Sequence, residues 1–581
     1  MGVQADKAVR GDTGAPPAGA ARALTGRTGA AIVALATAAG LALAGCATSP
    51  KSASPASCSG KQTAGGVTAS APASPPGAGV ASAWTLPGAN LQNTRDVASP
   101  ITASNVTKLG VAWCVPVPST GESRKYGYSD GYSTTPVIVN GVVYTQDIES
   151  NVLAIKLATG KVLWIHDYNS PNGGPDGVTV ADGVVYAATN SAAVALSAAT
   201  GKQLWSRTLI GNDHEGIDMA PGYHDGTVYV STVPVNPAVG EYLGGGKGIL
   251  WALNARTGAP EWSFDTVQSL WGNAAVNSGG GMWEPPSFDA AGNLYIGIAN
   301  PGPIGEGRWP AGYPWGTSRP GPDLYTDSVV KLSPAGKLLW YYQLTPHDVY
   351  DWDLQNSPVL TTANGQQVVI AGGKAGIMIE LSAQTGKLLW KLPVGVHSGH
   401  DNDGLRTEHL TPTSHIPLPA KYVLEPSAFG GMETPLASNG SAVFAAVNDV
   451  PMTMSNKGID ESSAQFQASI TSGTGEMVAV SQDTGKIIWD VKLPSSPYGA
   501  ATVTNNVVFT TTYSGYLYGF STATGAMLLK TPLSALTNAP VAVDGSYVLV
   551  GAGVPSAKKQ YKQLIIAYKL GATGKLPATV G

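Results

Sequence analysis

The stretch YYQLTPHDVYDWDL, residues 341–354, ends an aromatic run at a proline and then sets His347, Asp348, Asp351 and Asp353 within seven positions. In a chain of which only 12% of the residues are charged, that crowding poses a choice. Carboxylates so placed can take a proton from a hydroxyl group or supply oxygens to a hard cation. They can equally close a polar turn, since aspartate accepts hydrogen bonds from nearby backbone. A second polar cluster, HSGHDNDGLRTEH (residues 397–409), is rich in imidazole but offers no closed tetrahedral ligand set, and it reads as a loop and not a metal site.

What must position the first cluster is a repeat. LAIKLATGKVLW ends at Trp164, VALSAATGKQLW at Trp205, LWALNARTGAPEW at Trp262, VVKLSPAGKLLW at Trp340, IELSAQTGKLLW at Trp390 and VAVSQDTGKIIW at Trp489, while YGFSTATGAMLL puts Leu529 in the tryptophan's place. Each copy reads as a strand, a tight turn whose Thr-Gly supplies the positive φ, and a second strand ending in an aromatic residue. Ahead of most copies stands another hairpin with its own turn dipeptide, Asn-Gly in PVIVNGVVYTQD (136–147) or Asp-Gly in VTVADGVVYAAT (178–189). Two hairpins make a four-stranded sheet of about 40 residues, the unit of a β-propeller blade. Trp164 and Trp205 lie 41 residues apart, in keeping with that period.

The expectation is therefore an all-β chain folded as a β-propeller of eight four-stranded blades. The seven phrases, SNGSAVFAAVND (438–449) as a blade without the motif, and a closing blade in which VTKLGVAWCVPV near the start joins QLIIAYKL near the end give eight or nine, and eight is taken. The motif tryptophans are read as packing between neighbouring blades, with no chemical role.

Composition agrees. Among 581 residues there are 73 Gly, 42 Pro, 14 Trp and 23 Tyr, a balance that favours short strands and turns over helical bundles. The net charge of −4 comes without clustered basic residues, so no nucleic-acid partner is expected. Residues 1–45 read as a signal peptide: basic residues lead into AAIVALATAAGLALAG, too short and too rich in small residues for a good spanning helix. The ending Leu43-Ala44-Gly45-Cys46 resembles a bacterial lipobox, which implies cleavage before Cys46, lipidation of its sulfur and an extracytoplasmic protein anchored to the cell membrane. Residues 46–82, rich in Ser, Pro, Ala and Gly, read as a disordered tether, and residues 83–581 as the propeller. Cys58 and Cys114 either bridge, pinning the tether to the domain, or remain free thiols.

The Thr-Gly-x-x-x-Trp phrase resembles the tryptophan-docking motif of quinoprotein dehydrogenases, propeller enzymes that hold pyrroloquinoline quinone (PQQ). It is shared with PQQ-like propeller lipoproteins that bind no cofactor. More specific matches lie in GGGMWEPPSFDAAGNLYIGIANPGP (279–303), in LLWYYQLTPHDVYDWDL and in AGGKAGIMIEL. By this resemblance Trp283 is the floor under the quinone, Asn300 a calcium ligand, Asp351 both calcium ligand and catalytic base, and Lys374 the partner of the quinone carbonyls. The resemblance implies oxidation of an alcohol or a sugar with PQQ and Ca2+.

The chain departs from the pattern at several points. The glutamate that completes the calcium site matches Asn236 without a gap and Glu241 with a small shift, and Glu241 is taken as the ligand. A vicinal cysteine pair is absent, and Val349-Tyr350 stands where the motif has other residues. No Cys-x-x-Cys-His occurs, so no haem is expected and electrons would pass to a separate acceptor. Of the remaining acids, Asp348 reads as a turn residue and Asp353 as either a metal ligand or a water-facing side chain, and His347 reads as a packed imidazole. The alternative function is a non-catalytic propeller lipoprotein that scaffolds partners at the cell surface.

Overall fold

In the computed structural model residues 80–118, 132–236, 240–241, 245–267, 278–302, 321–409, 417–455, 470–553 and 562–577 are described, residues 240–241 by their backbone alone. The signal segment, Cys46 and nearly all of the tether lie outside them. The described chain forms eight four-stranded antiparallel sheets, seven of them with their strands in sequence order. These seven blades span residues 137–166, 179–208, 222–265, 287–343, 359–393, 437–493 and 502–532, and will be called blades one to seven. The eighth is shared between the termini: Leu109–Pro116 pairs with Leu564–Leu570, which continues into Tyr547–Ala552 and Ala542–Asp544.

The stretch 438–449 is not a blade of its own. Ala442–Asp449 pairs with Thr474–Ser481, which in turn pairs with Ile487–Leu493, so it is the inner hairpin of the blade that carries Trp489. The long gap before Trp489 hid that pairing from the sequence.

Each motif tryptophan packs on the turn glycine of the next blade. Trp164 lies under Gly201, where an added Cβ would come within 2.6 Å of the ring, and its Nε1 donates to the carbonyl of Ala198 at 3.0 Å. The same arrangement holds for Trp205, Trp262, Trp340, Trp390 and Trp489. Trp113, which the repeat search passes over, plays this part for the closing blade, packing on Gly160 and donating to the Leu157 carbonyl at 2.6 Å. Cys114 beside it is buried and disulfide-bonded, its partner lying outside the described residues.

Gly201→Ala is expected to cost about 2 kcal/mol or more, because the left-handed φ and the clash with the indole add. Gly183 has φ of 78° and open space where a Cβ would go, so Gly183→Ala should carry the conformational part alone. Urea midpoints of the two variants, measured side by side, check the difference; equal midpoints would refute the packing role.

The segment from Trp84 to Val97 crosses the ring. Its backbone binds the inner strands of five blades, through Ile138 N to Trp84 O, Phe288 N to Leu91 O, Leu360 N to Gln92 O, Ser438 N to Thr94 O and Val503 N to Arg95 O. The buried Arg95 guanidinium donates to the carbonyls of Pro87, Ala501 and Val541 and to the Thr502 hydroxyl. An arginine can be buried here because each of its three guanidinium nitrogens finds an acceptor. This plug lies across the central channel.

Candidate active site

The site residues lie just before the first strand of a blade or just after its second strand. In an antiparallel hairpin those two positions share one end, so the topology alone gathers them at one end of the channel. Trp283 precedes Ser287–Phe288, and Asn300 follows Leu294–Gly297 in the same blade. Asp351 and Asp353 lie in the connection leading to Val359–Ala363, and Lys374 follows Gln366–Gly372.

The four residues do converge. The Lys374 ammonium is 2.9 Å from Asp351 Oδ2 and 2.6 Å from Asp353 Oδ2, and it stands 4.7 Å from the centroid of the Trp283 ring. Asn300 N–H donates to Asp353 Oδ1 at 2.7 Å. All but Trp283 are buried. Burial alone would pull the lysine's pKa down, but Asp351, Asp353 and Glu433 outweigh it and hold Lys374 well above its ordinary value. The ammonium therefore stays charged.

Asp351 has φ of 63°, the left-handed region that aspartate tolerates better than most residues. The turn is fixed from both sides, since Asp348 Oδ1 accepts the Tyr350 N–H at 2.8 Å and Oδ2 accepts the Trp352 N–H at 2.7 Å. Asp348 is thus the turn residue expected. His347 is buried with Nδ1 on the Gly321 carbonyl at 3.0 Å, a packed imidazole. Asp353 does not face water: it is fully buried, and its contacts with Lys374 and Asn300 join the fourth and fifth blades.

The Val349-Tyr350 departure is absorbed by residues 397–409 and 417–424. Tyr350 is buried, and its hydroxyl donates to Asp403 Oδ2 at 2.6 Å and lies 2.9 Å from the Tyr422 hydroxyl. His400 Nδ1 meets the same Asp403 oxygen at 2.6 Å, and His397 Nδ1 meets Asp401 at 2.9 Å. The imidazole-rich cluster is a local network that fastens the insertion to the Asp351 turn. Sequence order hides it, because Tyr350 and Asp403 are 53 residues apart.

Of the expected metal ligands, Asn300 offers a buried Oδ1 that accepts no hydrogen bond from the described residues, the oxygen a hard cation would take. The two candidates for the third ligand sit on one ribbon, with Asn236 opposite Gly240 and Val235 opposite Glu241. The Asn236 amide is engaged, donating to Asp213 O at 2.8 Å, and the Glu241 side chain lies outside the described residues. Among the described residues no grouping of three or more His, Cys, Asp and Glu side chains suits a metal. Trp283 packs against Val233 and Val235 at the base of this ribbon.

Glu433, just before blade six, was not anticipated. Burial pushes its carboxyl up to about 7, against the pull of Lys374. Burial likewise raises Glu284, Asp147 and Asp96, each to about 7. A carboxyl whose folded pKa exceeds its unfolded value near 4 contributes stability that is complete below that value and is lost as pH rises through the folded one. The urea midpoint is therefore expected to fall between pH 5 and pH 8; a midpoint that rises over this range would contradict it.

The chain matches the family described as glucose/ethanol/alcohol dehydrogenase, β-propeller domain, over residues 84–191 and 216–433, more than half of its length. It belongs to this PQQ-dependent alcohol dehydrogenase-like β-propeller family. It also matches the outer membrane protein assembly factor BamB family over residues 149–280 and 470–574. Curated relatives include a quinohemoprotein alcohol dehydrogenase of Comamonas testosteroni, 27% identical over 526 residues that cover 78% of this chain and 70% of the relative. A polyvinylalcohol dehydrogenase of a Pseudomonas species is 25% identical over 532 residues, 81% of this chain and 71% of the relative. The solved quinohemoprotein alcohol dehydrogenase ADHIIG of Pseudomonas putida HK5 superposes with a TM-score of 0.71 at 22% identity, covering 86% of this chain and 82% of that one, which bears on the fold alone.

Proposed function

We propose that this protein is an extracytoplasmic quinoprotein dehydrogenase that oxidises the hydroxyl of an alcohol or a sugar, with PQQ as hydride acceptor and Asp351 as base. The observation that carries the reading is the meeting of Trp283, Lys374, Asp351 and Asn300 at one end of the channel. The relatives' names, quinohemoprotein alcohol dehydrogenase among them, support the same class.

The residues present suit such a cofactor at its quinone end. Trp283 offers a flat apolar face, Lys374 a fixed positive charge beside that face, and Asn300 an unsatisfied buried oxygen. When bound, PQQ would supply an electrophilic quinone carbonyl that accepts hydride. Asp351 would take the hydroxyl proton on its carboxylate, held at a fixed angle by the turn that Asp348 braces. Lys374 would stabilise negative charge developing beside it, in a pocket too buried for water to screen. Calcium, in this reading, would take Asn300 Oδ1, Asp351 and Glu241. Lipidation at Cys46 would anchor the protein to the membrane, and a separate acceptor would collect the electrons.

Purified protein is to be loaded with PQQ and calcium and assayed by dye-linked oxidation of primary alcohols, polyols and aldoses. Quinone absorbance that stays with the protein, and dye reduction with some of these substrates, are expected. Their absence across the panel would sink the enzyme and leave the scaffold reading.

A further inference from the structure

The same end of the ring carries a second set of groups. Asp176 precedes the second blade's first strand, Ser133 and Thr135 precede the first blade's, and Glu284 the fourth's. All four line one small cavity, walled otherwise by proline and alanine, with about 10 Å³ of water-accessible space, room for a single ion or water. Asp176 is only 4% exposed, and neither of its carboxylate oxygens has a hydrogen-bond partner among the described residues. Its backbone is held by the N–H on the Asp218 carbonyl at 3.1 Å, with φ of 50°.

Among the described residues no cation pairs with this carboxylate. Arg95, the base that acts on Glu284, spends its guanidinium on three carbonyls and the Thr502 hydroxyl. Asp218 and Asp147 add further negative charge around Asp176. A buried carboxylate without a donor is too costly to persist, so it is either protonated or paired with a cation. Burial first, then Asp218 and Asp147, push Asp176 well above the usual carboxylate range, which makes the proton the competitor that a cation must displace.

We propose that this cavity is a binding site for a divalent hard cation of the calcium kind, held by the Asp176 and Glu284 carboxylates with the oxygens of Ser133 and Thr135. Oxygen-only ligands, a room of one ion's size and an excess of buried negative charge are what such a cation selects. With two carboxylates instead of three, water fills the rest of the shell. The site shares no residue with the one proposed at Asn300 and Asp351, and it does not rest on the quinone reading, because it is tested with no quinone present.

The full chain, freed of metal by chelation and dialysed, is to be titrated with calcium chloride at pH 8 by calorimetry, and the bound metal counted by elemental analysis. Wild type is expected to hold one more equivalent of calcium than Asp176→Asn, and Asp351→Asn is expected to keep that equivalent. Binding should release a proton, visible as a heat that depends on the buffer's ionisation enthalpy. Equal stoichiometry in wild type and Asp176→Asn, or no uptake by wild type, overturns the proposal. Should Asp176→Asn not fold, Ser133→Ala serves instead: affinity weakened by about tenfold supports the site, and unchanged affinity overturns it.

Discussion

Asp351→Asn is expected to lower turnover in the PQQ-loaded enzyme by a factor of about 10² to 10⁴, the range that a general base contributes. Bound PQQ should be retained, because the Trp283 face and the Lys374 charge are untouched. The substitution suits the site sterically, since asparagine tolerates the left-handed φ of 63° and the flanking amides keep their bonds to Asp348. Lys374 retains Asp353 at 2.6 Å, so the ammonium is not abandoned. Steady-state dye reduction beside the quinone absorbance measures both halves of the expectation. Turnover within twofold of wild type would show that Asp351 is not the base.

Asp353→Asn makes the informative comparison. Asp353 differs from Asp351 in what it binds: it accepts the Asn300 N–H as well as pairing with Lys374, so it ties two blades together. Its loss should appear first in the urea midpoint and only secondarily in turnover.

The blades were legible in the sequence because their signals are local. A Thr-Gly turn, an alternating strand and a terminal tryptophan fit within a dozen residues, and seven phrases yielded seven blades. The closing blade was legible only as two candidate strands, and its docking tryptophan was missed, since Trp113 stands on a strand whose partner, Leu564–Leu570, lies at the far end of the chain. The plug left no local pattern at all: Arg95 finds its acceptors at Ala501 and Val541, more than 400 residues away. The site behaved in the same way. Trp283, Asn300, Asp351 and Lys374 could be named from motifs, but Glu433 and the acidic cavity around Asp176 could not, because charges that meet across a ring carry no common spacing.

Lys374→Met tests the electrostatics of the site apart from its chemistry. Methionine fills most of the lysine's volume but leaves Asp351, Asp353 and Glu433 facing one another without a counter-charge. Breaking a buried pair by removing one partner costs about 3–5 kcal/mol, because the abandoned charge stays in low dielectric. The cost depends on pH with a definite sign. Glu433 already titrates at about 7, raised by burial and Asp353 against the pull of Lys374. Without that pull its folded pKa moves further above the unfolded value. Carboxyls so raised leave stability intact below about pH 4 and withdraw it as pH climbs through the folded pKa. The urea midpoint of Lys374→Met should therefore lie close to wild type near pH 4 and fall progressively behind it by pH 8. A deficit that stays constant across that range would mean that Lys374 contributes packing alone, and that the three carboxylates are neutralised by something other than its ammonium.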